Sequence, residues 1–499
     1  MSTETHEESN EYTIIIDIGQ GSTKVGFAGE ETPRSIFPTV TGKPKYQQMA
    51  GGQTQDIYVG NDTIRMRGVL KLDYPIKRGN VMDWDQYFAI LNHIFYNVLR
   101  IPPARCNVIY LIPPLTLPDI AQYFARVLFE THKCKSVAML DSATTAVFSI
   151  GETTGLSIEL GCGLTHVTPV MNGQIYAPSI KRLNLAGIDV EEQLASALTQ
   201  YGIFIKKEIV REIKEKVLKI SLNPTSDSVD PANNVIFTLP DGEPLTINSQ
   251  SVIMSGEILF NPGLIGLNSP ALPQAVIDSL RAVDPFYWRP LLKKIIFSGG
   301  SSYLQGLVPR LVDEIQKILP QLGPFPPEED EPKIEDAEEK VERPSEILNQ
   351  KTEDNCPKCG EIVILNESSF CPYCGFSLEV NQIEILDESH HKLSRKEKKL
   401  IKKTSIDDDE LANIASEVEG EYGSEDEIND LITLLEKKTN TTMNDIKIIT
   451  PKDRFYASFK GAAILGALPS FKKFMVTYEQ FTKNPDSVIV KFHDIIPSM

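Results

Sequence analysis

Ile14-Ile15-Ile16-Asp17-Ile18-Gly19-Gln20-Gly21-Ser22-Thr23-Lys24 is the stretch that decides the fold class. Three isoleucines running into an acid read as a short buried strand. The two glycines permit a tight hairpin whose backbone N–H groups turn inward to an anion. Lys24 then places a cation on a β- or γ-phosphate. Asp17 holds a hydrated divalent metal, because Mg²⁺ keeps most of its waters. An isolated Gly-x-Gly is more often a plain turn, but this one has an echo. Leu156 to Gly173 (LSIELGCGLTHVTPVMNG) repeats the order of Ile14 to Gly29 (IIIDIGQGSTKVGFAG): strand, acid, x, Gly, x, Gly, polar turn, second strand. Two hairpins of one design predict two halves of similar fold facing one site. A further turn, Ser298-Gly299-Gly300-Ser301, strengthens the set.

Outward from these hairpins, strands and helices alternate. Asp85 to Leu99 carries Phe88, Leu91, Ile94, Phe95 and Val98 at helical spacing. Asn107 to Ile112 reads as a strand stopped by Pro113-Pro114, and Asp119 to Thr131 as a helix. Glu208 to Ile220 reads as a helix with Ile209, Ile213, Val217 and Ile220 on one face, and Ile295 to Phe297 as a strand. The alternation predicts an α/β body with mixed or parallel sheets.

The chain has 499 residues, 41% hydrophobic and 24% charged, which is an ordinary globular balance. No apolar run reaches 18 residues, so no membrane span is expected. Met1 to Glu11 is polar and acidic and lacks the pattern of a secretory leader, which points to the cytoplasm. The net charge is −18, which argues against non-specific nucleic-acid binding. Residues 324–450 hold 32 acids and 15 bases, a net of −17, while the rest is nearly neutral. Pro324, Pro326 and Pro327 open this stretch, and the acids from Glu328 to Glu346 read as a disordered linker. Cys356-Pro-Lys-Cys359-Gly and Cys371-Pro-Tyr-Cys374-Gly follow, 11 residues apart. Each C-x-x-C puts two thiolates on one metal, and two such knuckles give closed tetrahedral Cys₄ coordination, hence structural Zn²⁺. So small a module needs the metal to fold. Cys106, Cys134 and Cys162 read as ordinary buried residues. The basic run from His390 to Lys403 lacks aromatic residues and reads as a solvated segment, with a docking patch as the alternative. Ser424 and Glu427 cap a short amphipathic helix at 426–438 that is expected to pack back on the body.

The body resembles the actin family over nearly its whole length outside the acidic stretch. KVGFAGEETPRSIFPTVTGKPK (Lys24 to Lys45), YPIKRGNVMDWD (Tyr74 to Asp85), FYNVLR (Phe95 to Arg100), RLNLAGIDV (Arg182 to Val190), EIVREIKEKV (Glu208 to Val217), FSGGSSYLQG (Phe297 to Gly306) and KGAAILGALPSFKKFMVTYEQF (Lys460 to Phe481) carry the resemblance in family order. It implies two duplicated, ribonuclease-H-like α/β domains around a nucleotide cleft, interrupted by a zinc ribbon with acidic, partly disordered linkers. The expected layout is a disordered tail at 1–11, a first domain at 12–155 with a projecting loop at 43–58, and a second domain at 156–323. The insertion follows at 324–445 with its ribbon at 355–380, and residues 446–499 return to the first domain.

The resemblance further implies ATP or ADP with Mg²⁺ or Ca²⁺. It assigns Asp17, Gly19, Gln20, Gly21, Ser22 and Lys24 to the first phosphate loop, and Glu159, Gly161, Gly163, Leu164 and His166 to the second. Asp17 and Glu159 would hold the metal through water. Gly187 and Asp189 fall near the cleft. Arg211, Lys214 and Glu215 match the helix that meets ribose and purine, and Gly299, Gly300 and Ser301 the turn under the base and phosphates. Three departures stand out. Actins carry Asp where this chain has Glu159, and another Asp where it has Cys162. They carry a water-positioning Gln where it has Ser142. Losing that Gln slows hydrolysis, since phosphoryl transfer depends on positioning. Asp141 and His166 are the candidates to act on the water, while Ser142 itself reads as inert packing. Phe455 replaces a Lys that flanks the base.

The family's filament contacts have counterparts in Lys43 to Tyr58 and Phe260 to Ala275, and its partner cleft in Phe148, Gly151, Ile464, Leu465 and Leu468, with Lys460 replacing an apolar residue. The insertion would meet the next subunit along a filament, where bulk and like charge oppose stacking. Two readings result. One is a nucleotide-stabilised subunit or regulator, at most a slow ATPase, that meets actin-related subunits and actin-binding proteins and recruits a further partner through its ribbon. Nucleic acid is the less favoured partner. The other is a filament-forming ATPase decorated by the insertion. Cytoplasm is the expected location, or nucleus in a eukaryotic host.

Overall fold

The computed structural model describes residues 11–45, 57–323, 325, 353–355, 362–364 and 446–490. The zinc-ribbon cysteines, the linker acids, the basic run, the 426–438 helix, residues 1–10 of the tail and residues 46–56 of the projecting loop lie outside the described residues. Among the described residues no helix is long and apolar enough to cross a membrane.

The first half is built on β1 (Tyr12–Ile18), β2 (Ser22–Phe27), β3 (Ser35–Pro38), β4 (Cys106–Ile112) and β5 (Ser136–Asp141). In sheet order, Val476–Thr477 comes first, followed by β5, β4, β1, β2 and β3. β1 pairs antiparallel with β2 and parallel with β4, which in turn runs parallel to β5. Ile14, Ile15 and Ile16 are all fully buried. Ile14 and Ile16 enter one core, and Ile15 enters another on the opposite face. A central strand covered on both faces needs this continuous apolar run. After β5 comes the helix α1 (Ser142–Phe148).

The second half repeats the plan. Its sheet is built on β6 (Gly155–Leu160), β7 (Thr165–Met171), β8 (Gln174–Ile175), β9 (Ile295–Ser298) and β10 (Ile448–Ile449), in the order β8-β7-β6-β9-β10. β6 pairs antiparallel with β7 and parallel with β9, and β9 runs parallel to β10. The connection pattern matches β2-β1-β4-β5, so the internal echo in the sequence corresponds to two sheets of one topology. Leu156, Ile158 and Leu160 enter the larger core on one face, leaving Ser157 and Glu159 on the other.

Three helices complete the surroundings of the hairpins: α2 (Gly187–Gln200), α3 (Lys207–Val217) and α4 (Ala457–Ala467). α3 ends three residues before the expected Ile220. Ile220 instead donates its N–H to Gln305 O at 2.8 Å, an extended contact that a helix would forbid. The expected helices at 85–99 and 119–131 form as Trp84–Asn92 and Pro118–Arg126, each continued by a wider π turn. Residues 349–444 form a second compact unit, apart from the body. Its described part is one antiparallel pair, Glu353–Asn355 with Ile362–Ile364.

Candidate functional site

The two hairpins have the same internal geometry. Asp17 stands across from Lys24 in the β1–β2 register, and Glu159 across from His166 in β6–β7. Gly19 N donates to Ser22 O at 3.1 Å, and Gly161 N to Leu164 O at 3.0 Å. The glycines serve space rather than backbone freedom, since none of Gly19, Gly21, Gly161 and Gly163 has positive φ. A β-carbon on Gly21 would lie 2.9 Å from Cys162 Cβ, and one on Gly163 would collide with the Gln20 side chain. The loops therefore meet face to face. Gly299 is different: its φ is +92, and a β-carbon there would strike Leu160 O.

A cavity of about 850 Å³ opens between the hairpins. Asp17, Gly19, Gln20, Gly21, Ser22, Lys24, Glu159, Gly161, Gly163, Leu164 and His166 line it. So do Arg211, Lys214, Glu215, Gly299, Gly300 and Ser301. Gly187 and Asp189 stand behind the lining. Gly187 N donates to Gly161 O at 3.1 Å, and Asp189 accepts the Ala186 N–H at the start of α2. Lys24 Nζ is 2.9 Å from Asp17 Oδ2 and 5.1 Å from the centre of the Phe455 ring. Arg211 and Lys214 both donate to Glu191 Oε2, at 3.1 and 3.3 Å, which holds α3 against α2.

The acid on the second hairpin is the most constrained group of the site. Ser142 Oγ donates to Glu159 Oε2 at 2.8 Å, and Ser458 Oγ to Oε1 at 3.1 Å. Close helix packing delivers both serines, because Gly461 of α4 lies directly on the Thr145 backbone of α1. Burial pushes the Glu159 carboxyl up to about 7, against the pull of the two hydroxyls. Ser142 is therefore not the inert packing residue expected. Asp141 stands outside the lining: its Oδ1 accepts the N–H groups of Ala143 and Thr144 at 2.9 and 3.1 Å, capping α1. Burial raises its carboxyl to about 6. Burial also holds His166 down to about 4, so the imidazole is neutral, and its Nε2 has no protein partner.

These observations fix the architecture: two matched sheets, two opposed acid-x-Gly-x-Gly hairpins and a cavity between them. The family model described as Actin matches residues 8–345. The chain belongs to the actin family. An actin-like protein of Neurospora crassa is 33% identical over 318 residues, which is 61% of this chain and 83% of the relative.

Several features of this actin-family cavity escaped sequence reasoning. Cys162, read both as an ordinary buried thiol and as the loop position where actins carry Asp, is only partly buried and lines the cavity beside Gly21, as the loop reading has it. Tyr303, Leu304, Arg454 and Ser458 also line it. Tyr303 and Leu304 directly follow the Ser298 to Ser302 turn, which was the available signal; Ser458 had none. Arg78 ties the halves together: its guanidinium forks onto Asp189 at 2.6 and 2.8 Å. Among the residues assigned to the partner cleft, Phe148, Ile464 and Leu465 are core, each at most 3% exposed. They present almost no docking surface, whereas Gly151 is exposed and Leu468 half-buried, and Lys460 pairs with Asp453 at 2.7 Å. Among the described residues no group of three or more His, Cys, Asp or Glu is set to hold a metal ion.

Proposed function

We propose that this chain is an ATP-binding actin-family subunit that hydrolyses nucleotide slowly or not at all. The observation that carries the reading is Glu159, with both oxygens engaged by Ser142 and Ser458. Where actins have a water-positioning Gln, this chain has a serine whose hydroxyl is turned onto the neighbouring acid. The residues present fit the nucleotide: Lys24, Arg211 and Lys214 supply cations, Asp17 and Glu159 supply carboxylates, and 850 Å³ is within the usual range for such sites. Two carboxylates suit a metal that keeps its waters, either Mg²⁺ or Ca²⁺. The metal would neutralise charge on the phosphates. Asp141 acts as a helix cap rather than a base, and burial keeps His166 neutral at the cavity wall.

The insertion gives the subunit its separate task. The register pairs Asn355 with Ile362, so the chain between the two strands is Cys356-Pro-Lys-Cys359-Gly-Glu. A C-x-x-C between paired strands supports the reading of a structural Zn²⁺ knuckle completed by Cys371 and Cys374. Bulk and negative charge there oppose end-to-end stacking, so the chain acts in the cytoplasm as a regulator or subunit beside other actin-related chains.

The test is nucleotide content, phosphate release and pelleting on one purified sample with Mg-ATP. Retained ATP without release or pelleting is the expected outcome. Steady release coupled to concentration-dependent pelleting would overturn it in favour of a filament-forming ATPase.

A further inference from the structure

The second sheet carries a row of polar residues on the face turned away from its larger core. Leu156, Ile158 and Leu160 of β6, Val167 of β7, and Ile295 and Phe297 of β9 enter that core. Alternation therefore puts Ser157, Glu159, His166, Thr168 and Ser298 on the opposite face. The register makes them neighbours: Ser157 stands across from Thr168, Glu159 across from His166, and Ser298 beside Glu159. Ser157, His166, Thr168 and Ser298 are each at most 5% exposed. The three hydroxyls and His166 Nε2 are buried, with no hydrogen-bond partner among the described residues.

α1 lies over this face. At one end Ser142 reaches Glu159, and at the other Val147 packs with Val170 and Ile296. Between these anchors α1 offers no free polar side chain. The Thr144 hydroxyl turns back to Asp141, and the Thr145 hydroxyl to the carbonyls of Asp141 and Ser142. Ala143 and Ala146 are the other residues there. Buried polar groups in folded proteins almost always find a partner, so four orphans in one layer call for an occupant. Their chemistry selects it. Hydroxyls both donate and accept, and a neutral imidazole nitrogen does one or the other. The set includes no cation to hold an anion. It includes no free carboxylate to hold a metal, since Ser142 and Ser458 engage both Glu159 oxygens. The fitting occupant is a small neutral molecule that donates and accepts, which is water.

We infer that this layer is an internal hydration site, holding about two ordered waters that each make about three hydrogen bonds. Ser142, Glu159 and His166 line the cavity, whereas Ser157, Thr168 and Ser298 do not. The site therefore opens onto the cavity at Glu159 and His166 and extends behind its wall. A ligand that fills the cavity still meets water from the rear. The inference does not depend on what that ligand is.

The test counts long-lived internal waters in full-length, ligand-free protein by oxygen-17 water relaxation dispersion. Ser157→Ala combined with Thr168→Val removes two of the hydroxyls with little change of shape. This variant should lose about two such waters relative to wild type. It should also unfold at a lower urea concentration, because the remaining groups lose their bridges. Thr168→Val alone should lose about one water, and it carries the test if the double variant does not fold. A water count unchanged from wild type overturns the inference. So does a raised urea midpoint, because deleting hydroxyls from a dry layer relieves the cost of burying them.

Discussion

Replacing Glu159 with glutamine should change stability in opposite senses at the two ends of the neutral range. The folded carboxyl lies at about 7, against an ordinary value of 4.5. Burial is the cause, so the fold favours the protonated acid. A carboxyl raised in this way contributes stability that is fully present below pH 4.5 and lost as pH rises through 7. A shift from 4.5 to about 7 corresponds to about 3 kcal/mol at 1.36 kcal/mol per unit. At pH 5 the wild-type group is neutral, so Glu159→Gln replaces one neutral hydrogen-bonding group with another. The cost there should be within about 1 kcal/mol, from altered pairing with Ser142 and Ser458. At pH 8 the wild-type group is charged in a desolvating site, and the variant should be the more stable by about 2–3 kcal/mol. The assay is urea unfolding of nucleotide-free, chelator-treated protein at pH 5, 6, 7 and 8. A difference between variant and wild type that stays constant across this series would refute the reasoning, because Glu159 would then ionise as readily folded as unfolded.

Three further outcomes follow from the same geometry. Asp141→Ala removes the cap of α1 and should cost about 1–2 kcal/mol in urea unfolding, whereas Asp141→Asn keeps an acceptor and should stay near wild type; equal losses would argue against the cap. Gly461→Ala drives a methyl into the Thr145 backbone carbonyl and should cost about 3 kcal/mol by thermal melting, while Gly68→Ala, which meets nothing within 4 Å, should be almost silent. Metal analysis of the purified chain should find one Zn²⁺, lost when Cys356 or Cys371 is replaced by serine; protein that is metal-free when isolated without chelator would remove the ribbon reading.

The parts of the fold legible in the sequence were those whose cause is local. Ile14 to Ile16 announced a buried strand because continuous burial needs a continuous apolar run. The repeated acid-x-Gly-x-Gly located both hairpins because the turn and its flanking acid sit within a few residues. What the glycines were for could not be read locally. Gly21 and Gly163 are dictated by Cys162 and Gln20 on the opposite hairpin, and that closeness exists only after folding. Ser142 looked inert for the same reason, since its partner Glu159 is on another element and Ser458 arrives from the far end of the chain. Arg78 was hidden by distance as well, because Asp189 lies 111 residues away. The early end of α3 follows from a long-range bond to Gln305, which local helical periodicity cannot register.

The edge strand β10 sets a timetable for making this protein. It pairs with β9, yet Ile448 follows Ser298 by 150 residues, with the acidic stretch between them. At about 5–20 residues per second, a ribosome delivers β10 roughly 8–30 seconds after β9. Throughout that interval the second sheet has an open apolar edge at Ile295 to Phe297, able to pair with another chain. The segment emerging meanwhile carries most of the net charge of the protein. Like-charged nascent chains repel one another, so the acidic stretch shields the unfinished sheet until its last strand arrives.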